Sequence, residues 1–565
     1  MTDQASRYRP AFDQSPVCFN AYINPGNHGI AGARPRMKKM TRIVRGLCLI
    51  VCLILPVCSL ELPRTAATVA GEWRIATPES EGVDSELLAT AIESLRERRA
   101  EIHSLLLVRN GKLLAESYFY PYDGKVPHDI ASVTKPITTT LIGLAIDQGR
   151  IPSVSEPMLS VFPGFSGQPA ANTDPRKQKV TIEHLMTMSS GLGCKAQAGE
   201  PTLWEMLSAA DNIRFMLDLP MSDEPGSRYV YCSGGMHLLS GAITRRTGLS
   251  AEAFARKHLF TPLGIRQWIW PRDPQKVSHG FGNLHLMPRD MARIGQMFLD
   301  GGRWEGRQIV PSEWVAAATK PRIRTGGPGS SDYGYGWRIP TNGGPVSFEA
   351  SGRGGQQISI LKSANAVVVI NGGGFNSGEL MKQINAAIRS DRPLPENPTA
   401  LARLQRAIST AILPPAPLPV AQLPALASRI SGRQWNLDPN WLGLKSITLD
   451  FKAAQTVQTA LVFAPALKQY QFGISAQVTG RNSISEKRPV GLDGLFRISP
   501  NGILGLPVGL RGNWIDDRTF QLEFNEIANT NTYFLRFIFD GERLRVEASE
   551  KTGLFKENFG GSPTS

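Results

Sequence analysis

The sequence predicts a mixed α and β body followed by a small antiparallel β domain, on three observations. Residues 71–390 interleave amphipathic helical stretches with apolar runs such as Leu105-Leu106-Leu107-Val108. Residues 391–426 are proline-dense (Pro393, Pro395, Pro398, Pro414, Pro415, Pro417, Pro419, Pro424) around one short helical stretch, Thr399 to Ile412. Such spacing stiffens a chain and rarely sits inside a core, so this segment reads as a connector. Strand alternation follows in Ile447 to Phe451, Phe520 to Phe524 and Phe534 to Phe539, the last closed by the hairpin pair Asp540-Gly541. Residues 427–555 are therefore the expected β domain, with 556–565 as a tail.

The composition bounds the rest. With 565 residues, 41% apolar and 19% charged, the chain can bury ordinary cores, which excludes wholesale disorder, collagen and a coiled coil. The formal charge of +14 is misleading, because residues 1–59 hold eight Lys and Arg against Asp3 and Asp13. Without them about +8 remains, with no long basic run, so nucleic acid is not an expected partner. Arg34 to Arg45 is basic and precedes the apolar run Gly46 to Cys58, which is too short to span a bilayer. Residues 1–70 thus read as an N-terminal extension and signal peptide with its apolar core at 46–58, translation starting at Met37 or Met40. Export to the periplasm is expected, the alternative being an uncleaved membrane anchor; no stable span is expected in the mature chain. Of six cysteines, only Cys194 and Cys232 lie beyond that segment. In an oxidising compartment they economically form one disulfide, with two separate buried thiols as the alternative.

The chemistry lies in residues 71–390. The chain has no G-x-S-x-G, no H-E-x-x-H and no Gly-rich phosphate loop, and its eight histidines show no metal-ligand spacing. It does hold S-x-x-K twice, at Ser132-Val133-Thr134-Lys135 and Ser359-Ile360-Leu361-Lys362. Ser132 opens an amphipathic helix carrying Ile137, Leu141, Leu144 and Ala145, with Pro136 tolerated in its first turn. Positions i and i+3 share a helix face, so the Lys135 amine approaches the Ser132 hydroxyl. Burial and the helix N-terminus both disfavour the charged lysine, which can then serve as general base for the serine. The competing reading is an N-cap serine beside a solvated lysine. Ser359 and Lys362 lie in a strand pattern, where such positions face opposite ways, and are set aside. A serine–lysine hydrolase also needs a second acid/base and an oxyanion hole. Tyr231 and Ser233, just before a helix at Met236, and the glycines of Ala350 to Gln357 are the candidates. Their plain readings are a half-buried aromatic and a turn.

These blocks, in order, resemble the serine β-lactamase and penicillin-binding-protein superfamily, in its class C, esterase and 6-aminohexanoate-dimer hydrolase branch. The likeness runs over residues 75–390 through His103 to Lys112, His128 to Lys135, Thr181 to Gly191, Pro225-Gly226 with Tyr231, Pro288 to Gly295, Tyr333 to Trp337 and Gly352 to Gln356. It implies a three-layer α/β/α fold with a central antiparallel sheet and a helical subdomain, and the 427–555 domain is similar to lipocalin-like extensions of some members. It implies Ser132 as acylated nucleophile, Lys135 as its base and Tyr231 as proton shuttle. By it, Arg353-Gly354-Gly355 align with the Lys-Thr-Gly motif, the N–H groups of Ser132 and Gln356 form the oxyanion hole, and Ser233 contacts substrate. No cofactor is implied.

Two departures shape the expected substrate. Ser233 replaces the asparagine of Tyr-x-Asn, and Arg353 with Gly354 replaces Lys-Thr. An arginine can clamp a carboxylate or turn to solvent. The expected function is an exported serine hydrolase for small esters or amides. A β-lactamase or D-Ala-D-Ala peptidase, and an idle relative that binds peptidoglycan or a partner, are the alternatives. The sequence leaves the oligomeric state open.

Overall fold

The computed structural model describes residues 72–564 except 164–173, 198, 328, 441, 452–455, 464–486 and 501. The segment read as a signal peptide and its four cysteines lie outside the described residues. The run Leu105 to Val108 sits in a strand buried along its whole length, Ile102–Arg109 (β2). Its side chains alternate between two cores. Leu106 and Val108 pack with one apolar cluster, Leu105 and Leu107 with another, which places β2 between two helical layers.

β2 belongs to a nine-stranded sheet that also contains Arg74–Ile75 (β1), Lys112–Tyr118 (β3), Ile323–Arg324 (β4), Asp332–Tyr333 (β5), Arg338–Ile339 (β6), Phe348–Gly352 (β7), Gln356–Leu361 (β8) and Ala366–Gly372 (β9). The order is β1-β3-β2-β9-β8-β7-β6-β5-β4, antiparallel apart from the β1–β3 pair. One face carries Ser85–Glu97 (α1), Gly378–Ala387 (α5) and Pro398–Ala411 (α6); the other faces Thr134–Asp147 (α2) and Pro288–Leu299 (α4), with Ser233–Thr247 (α3) packed beyond. Gly295 lets α4 press onto the sheet, since a Cβ there would stand 2.5 Å from Val367 Cγ1.

The second sheet has ten strands: Gln434–Leu437 (β10), Leu444–Asp450 (β11), Thr456–Phe463 (β12), Lys487–Gly491 (β13), Arg497–Ser499 (β14), Val508–Trp514 (β15), Thr519–Glu526 (β16), Thr532–Asp540 (β17), Arg543–Glu550 (β18) and Lys556–Pro563 (β19). The order β13-β12-β11-β10-β19-β18-β17-β16-β15-β14, closed by a β13–β15 pairing, makes a barrel. Trp435, Phe520, Phe537 and Val546 fill it.

Two expectations need correction. The segment read as a tail contributes β19, which pairs with both β18 and β10 and completes the barrel wall. The helix within the proline-dense connector is not a bare spacer. α6 turns Leu404, Ala407 and Ala411 into the core beside α1, and its Arg403 reaches Glu93 at 3.2 Å. Prolines exclude a chain from regular hydrogen bonding only where they stand, and Thr399 to Ile412 contains none. Leu404→Ala is expected to cost about 2–3 kcal/mol in chemical denaturation, as a buried leucine does; a loss under about 0.5 kcal/mol would mean that α6 is undocked.

Candidate active site

Ser132 lies in a tight turn, Ala131–Val133, that runs directly into α2, while Lys135 is one turn further on. The short spacing aims both side chains at one point. Lys135 is 1% exposed, and its Nζ donates to Ser132 Oγ at 2.7 Å and to the Phe281 carbonyl at 2.8 Å. Burial lowers the amine to about 8, only partly offset by the negative charge of Glu200. Tyr231 approaches from the start of α3. Its Oη donates to Ser132 Oγ at 2.9 Å, and its ring centroid is 4.8 Å from Lys135 Nζ. Burial pushes the Tyr231 phenol well above its ordinary range. The hydroxyl therefore sits between an amine able to accept a proton and a phenol that keeps its own.

The turn before Ser132 is strained. Ala131 adopts φ +45°, in the left-handed region that an alanine enters at a cost of about 1–2 kcal/mol. Its N–H donates to Asp129 Oδ1 at 2.8 Å, and its carbonyl accepts from Thr134 Oγ1 at 2.7 Å. Cys194 and Cys232 are joined in a disulfide between the residue next to Tyr231 and the Leu192–Cys194 loop. Ser233 opens α3 and, with Ser132, borders a cavity of about 230 Å³. Glu200, Leu203, Phe281, Asn283, Arg353 and Leu554 also line it. Among the described residues no cluster of His, Cys, Asp and Glu is arranged to hold a metal ion.

The glycine-rich segment departs from its expected alignment. Gly352 at the end of β7 is the residue pressed on the turn of Ser132, since a Cβ there would stand 3.0 Å from the Ser132 amide nitrogen and 2.8 Å from the Ile130 carbonyl. The glycine seated against Ser132 is thus Gly352, three residues before the Gly355 of the reading that began at Arg353. Arg353 borders the cavity, but its guanidinium donates to Thr530 Oγ1 at 2.5 Å, Asn531 Oδ1 at 2.6 Å and Thr552 Oγ1 at 3.0 Å, with Glu550 at 3.6 Å. Gly354 and Gly355 (φ +80° and +93°) form the turn into β8, against Thr530 and Phe375. Gln356 is paired across the sheet with Gly352, and its side chain bonds the Gly372 carbonyl, away from the cavity. Ser359 of the second S-x-x-K bonds Gln357 within β8.

The Beta-lactamase family model matches residues 88–390, more than half of the chain. The chain belongs to the beta-lactamase family. It is 26% identical over 257 residues to a 6-aminohexanoate-dimer hydrolase of Paenarthrobacter ureafaciens, covering 42% of this chain and 63% of that one. It is 27% identical over 280 residues to esterase EstB of Burkholderia gladioli, covering 45% and 70%. Among solved structures, the octameric penicillin-binding protein homologue from Pyrococcus abyssi aligns over 84% of this chain and 99% of its own, at 16% identity and a TM-score of 0.43.

Several site residues of this family member escaped the sequence reading. Asp129 had a signal: an Asp two residues before a turn amide is a common way to hold one. The Phe281 carbonyl, Glu200 and Leu554 had none, because only the fold brings them to Ser132. Asp129→Ala is expected to cost about 1–3 kcal/mol by leaving the buried Ala131 N–H unsatisfied. Asp129→Asn, which keeps an acceptor, is expected to recover most of that in thermal melts.

Proposed function

We propose that the protein is an exported serine hydrolase that cleaves small ester or amide bonds through an acyl-enzyme on Ser132. One observation carries this reading: Ser132 Oγ sits 2.7 Å from the Lys135 amine and 2.9 Å from the Tyr231 phenol, at the edge of a cavity of about 230 Å³. Membership of the family and relatives named as a 6-aminohexanoate-dimer hydrolase and an esterase support it. In the reaction, neutral Lys135 accepts the hydroxyl proton as Oγ attacks the carbonyl carbon. The N–H groups of Ser132 and Arg353 receive the oxyanion, a role supported by the seating of Gly352 on the Ser132 amide. The proton passes through Lys135 and Tyr231 to the leaving oxygen or nitrogen, that bond breaks, and water then hydrolyses the acyl-serine.

The ester and amide reading is favoured over a β-lactam or D-Ala peptide substrate by the base of the site. Arg353, which borders the cavity, has its guanidinium engaged by Thr530, Asn531 and Thr552. Among the described residues no basic side chain lines the cavity other than Arg353. Export is supported by the basic and apolar N-terminal segments together with the Cys194–Cys232 disulfide. Among the described residues no helix is long and apolar enough to cross a membrane.

Intact mass spectrometry after exposure to a fluorophosphonate is expected to show one adduct, lost in Ser132→Ala, while benzylpenicillin leaves no persistent adduct. A penicilloyl adduct together with nitrocefin turnover above that of short nitrophenyl esters would overturn the ester and amide reading. Absence of labelling by either reagent would favour the idle relative. The labelling rate is expected to rise with pH and level off above about pH 8. Because burial lowers the lysine, its free-base form grows as pH climbs through that value. A rate that is flat from pH 6 to 9 would remove Lys135 as the base.

A further inference from the structure

We propose that the C-terminal barrel supplies a wall of the catalytic cavity, and that this wall selects compact, uncharged acyl groups. The inference rests on the hydrolase reading above and specifies its substrate. Leu554 lies in the turn between β18 and β19, more than four hundred residues beyond Ser132 in sequence, yet borders the same cavity. It is the barrel's one contribution to that lining, and it is apolar.

The turn is built to hold Leu554 in place. Glu550 Oε2 accepts from the Thr552 N–H at 2.9 Å, the Thr552 hydroxyl at 2.6 Å and the Leu554 N–H at 3.2 Å. Glu550, 4% exposed, faces the Arg353 guanidinium through its other oxygen, and Arg353 also grips Thr552, Thr530 and Asn531. Arg353 thus ties the edge of the active site to two barrel turns, as a positioning residue. Further contacts fix the docking. The Asp129 N–H bonds the Ala528 carbonyl at 2.9 Å, Lys551 pairs with Glu101 at 2.5 Å, and Tyr122 packs with Ile527 and Ala528.

Two consequences for substrate follow. An acyl chain leaving Ser132 meets a fixed apolar stop at Leu554. A carboxylate on that chain meets Glu200 and Asp129 at the cavity wall, with the Arg353 charge already opposed by Glu550.

The test uses the full chain, Leu554→Ala, Leu554→Trp and Arg353→Ala, each checked by thermal melting. The substrates are 4-nitrophenyl acetate, butyrate and octanoate and the mono-4-nitrophenyl ester of glutarate. Wild type is expected to favour butyrate over both octanoate and the glutarate half-ester. Leu554→Ala is expected to raise the octanoate-to-butyrate ratio of kcat/KM about tenfold, and Leu554→Trp to lower butyrate relative to acetate by a similar factor. Arg353→Ala is expected to loosen the chain-length profile without singling out the glutarate ester. Ratios unchanged within about twofold in both Leu554 variants would overturn the wall. A wild-type preference for the glutarate ester that Arg353→Ala abolishes would overturn it too, making Arg353 a substrate clamp. Labelling of Ser132 by ethyl and dodecyl fluorophosphonates separates the two readings. Labelling with a rate ratio indifferent to Leu554 ends this inference alone, whereas no labelling ends the hydrolase reading and this one with it.

Discussion

The site depends on a lysine amine held out of water. Lys135 is packed so completely that its charged form loses most of its hydration, and its remaining partners are the Ser132 hydroxyl and one backbone carbonyl at Phe281. Much of the surrounding structure serves that burial. α2 starts directly after the Ser132 turn, the chain entering α3 brings the Tyr231 ring over the amine, and the chain at Gly280–Phe281 presents carbonyls to Thr138 and Lys135. The left-handed Ala131 is part of the same arrangement, since it turns the chain so that the serine hydroxyl meets the amine.

The barrel is joined to this centre by a second polar network. Arg353, Glu550, Asn531 and the threonines at 530 and 552 place a charge pair where the two sheets meet, its carboxylate buried and its guanidinium partly exposed. Removing the arginine would leave the buried Glu550 carboxylate with the hydrogen bonds of its own turn alone. Glu526, also buried, is pushed far above the usual carboxylate range by the same lack of water, and bonds Asn531.

The parts of the protein that were legible in the sequence are the local ones. An i, i+3 serine–lysine pair on a helix declares its geometry from spacing alone, and hairpin signals such as Asp540-Gly541 mark the β domain. The order of the motif blocks named the family before any coordinates. What stayed hidden is long-range. Arg353 carries the right charge for a substrate clamp, and only Thr530, Asn531 and Glu550, nearly two hundred residues away, show that its guanidinium is occupied. The glycine that approaches Ser132 differs by three residues from the expected one for a related reason. Ser351-Gly352 and Gly354-Gly355 look alike as text, and only the approach of Gly352 to the Ser132 amide tells them apart. Likewise β19 lacks apolar alternation because it is a strand whose Gly560 and Gly561 pack closely against neighbouring backbone and side chains.

The turn bearing Leu554 has a further consequence for how such a protein diversifies. Its two ends are strands fixed within the barrel, and Leu554 itself belongs to neither hydrophobic core. Exchange of that one side chain would therefore reshape the mouth of the pocket while leaving Ser132, Lys135 and Tyr231 in place, whereas Lys551, Thr552 and Phe555 tie the turn to its surroundings. The serine–lysine pair is built from one helix start, and the wall opposite it comes from a side chain more than four hundred residues away.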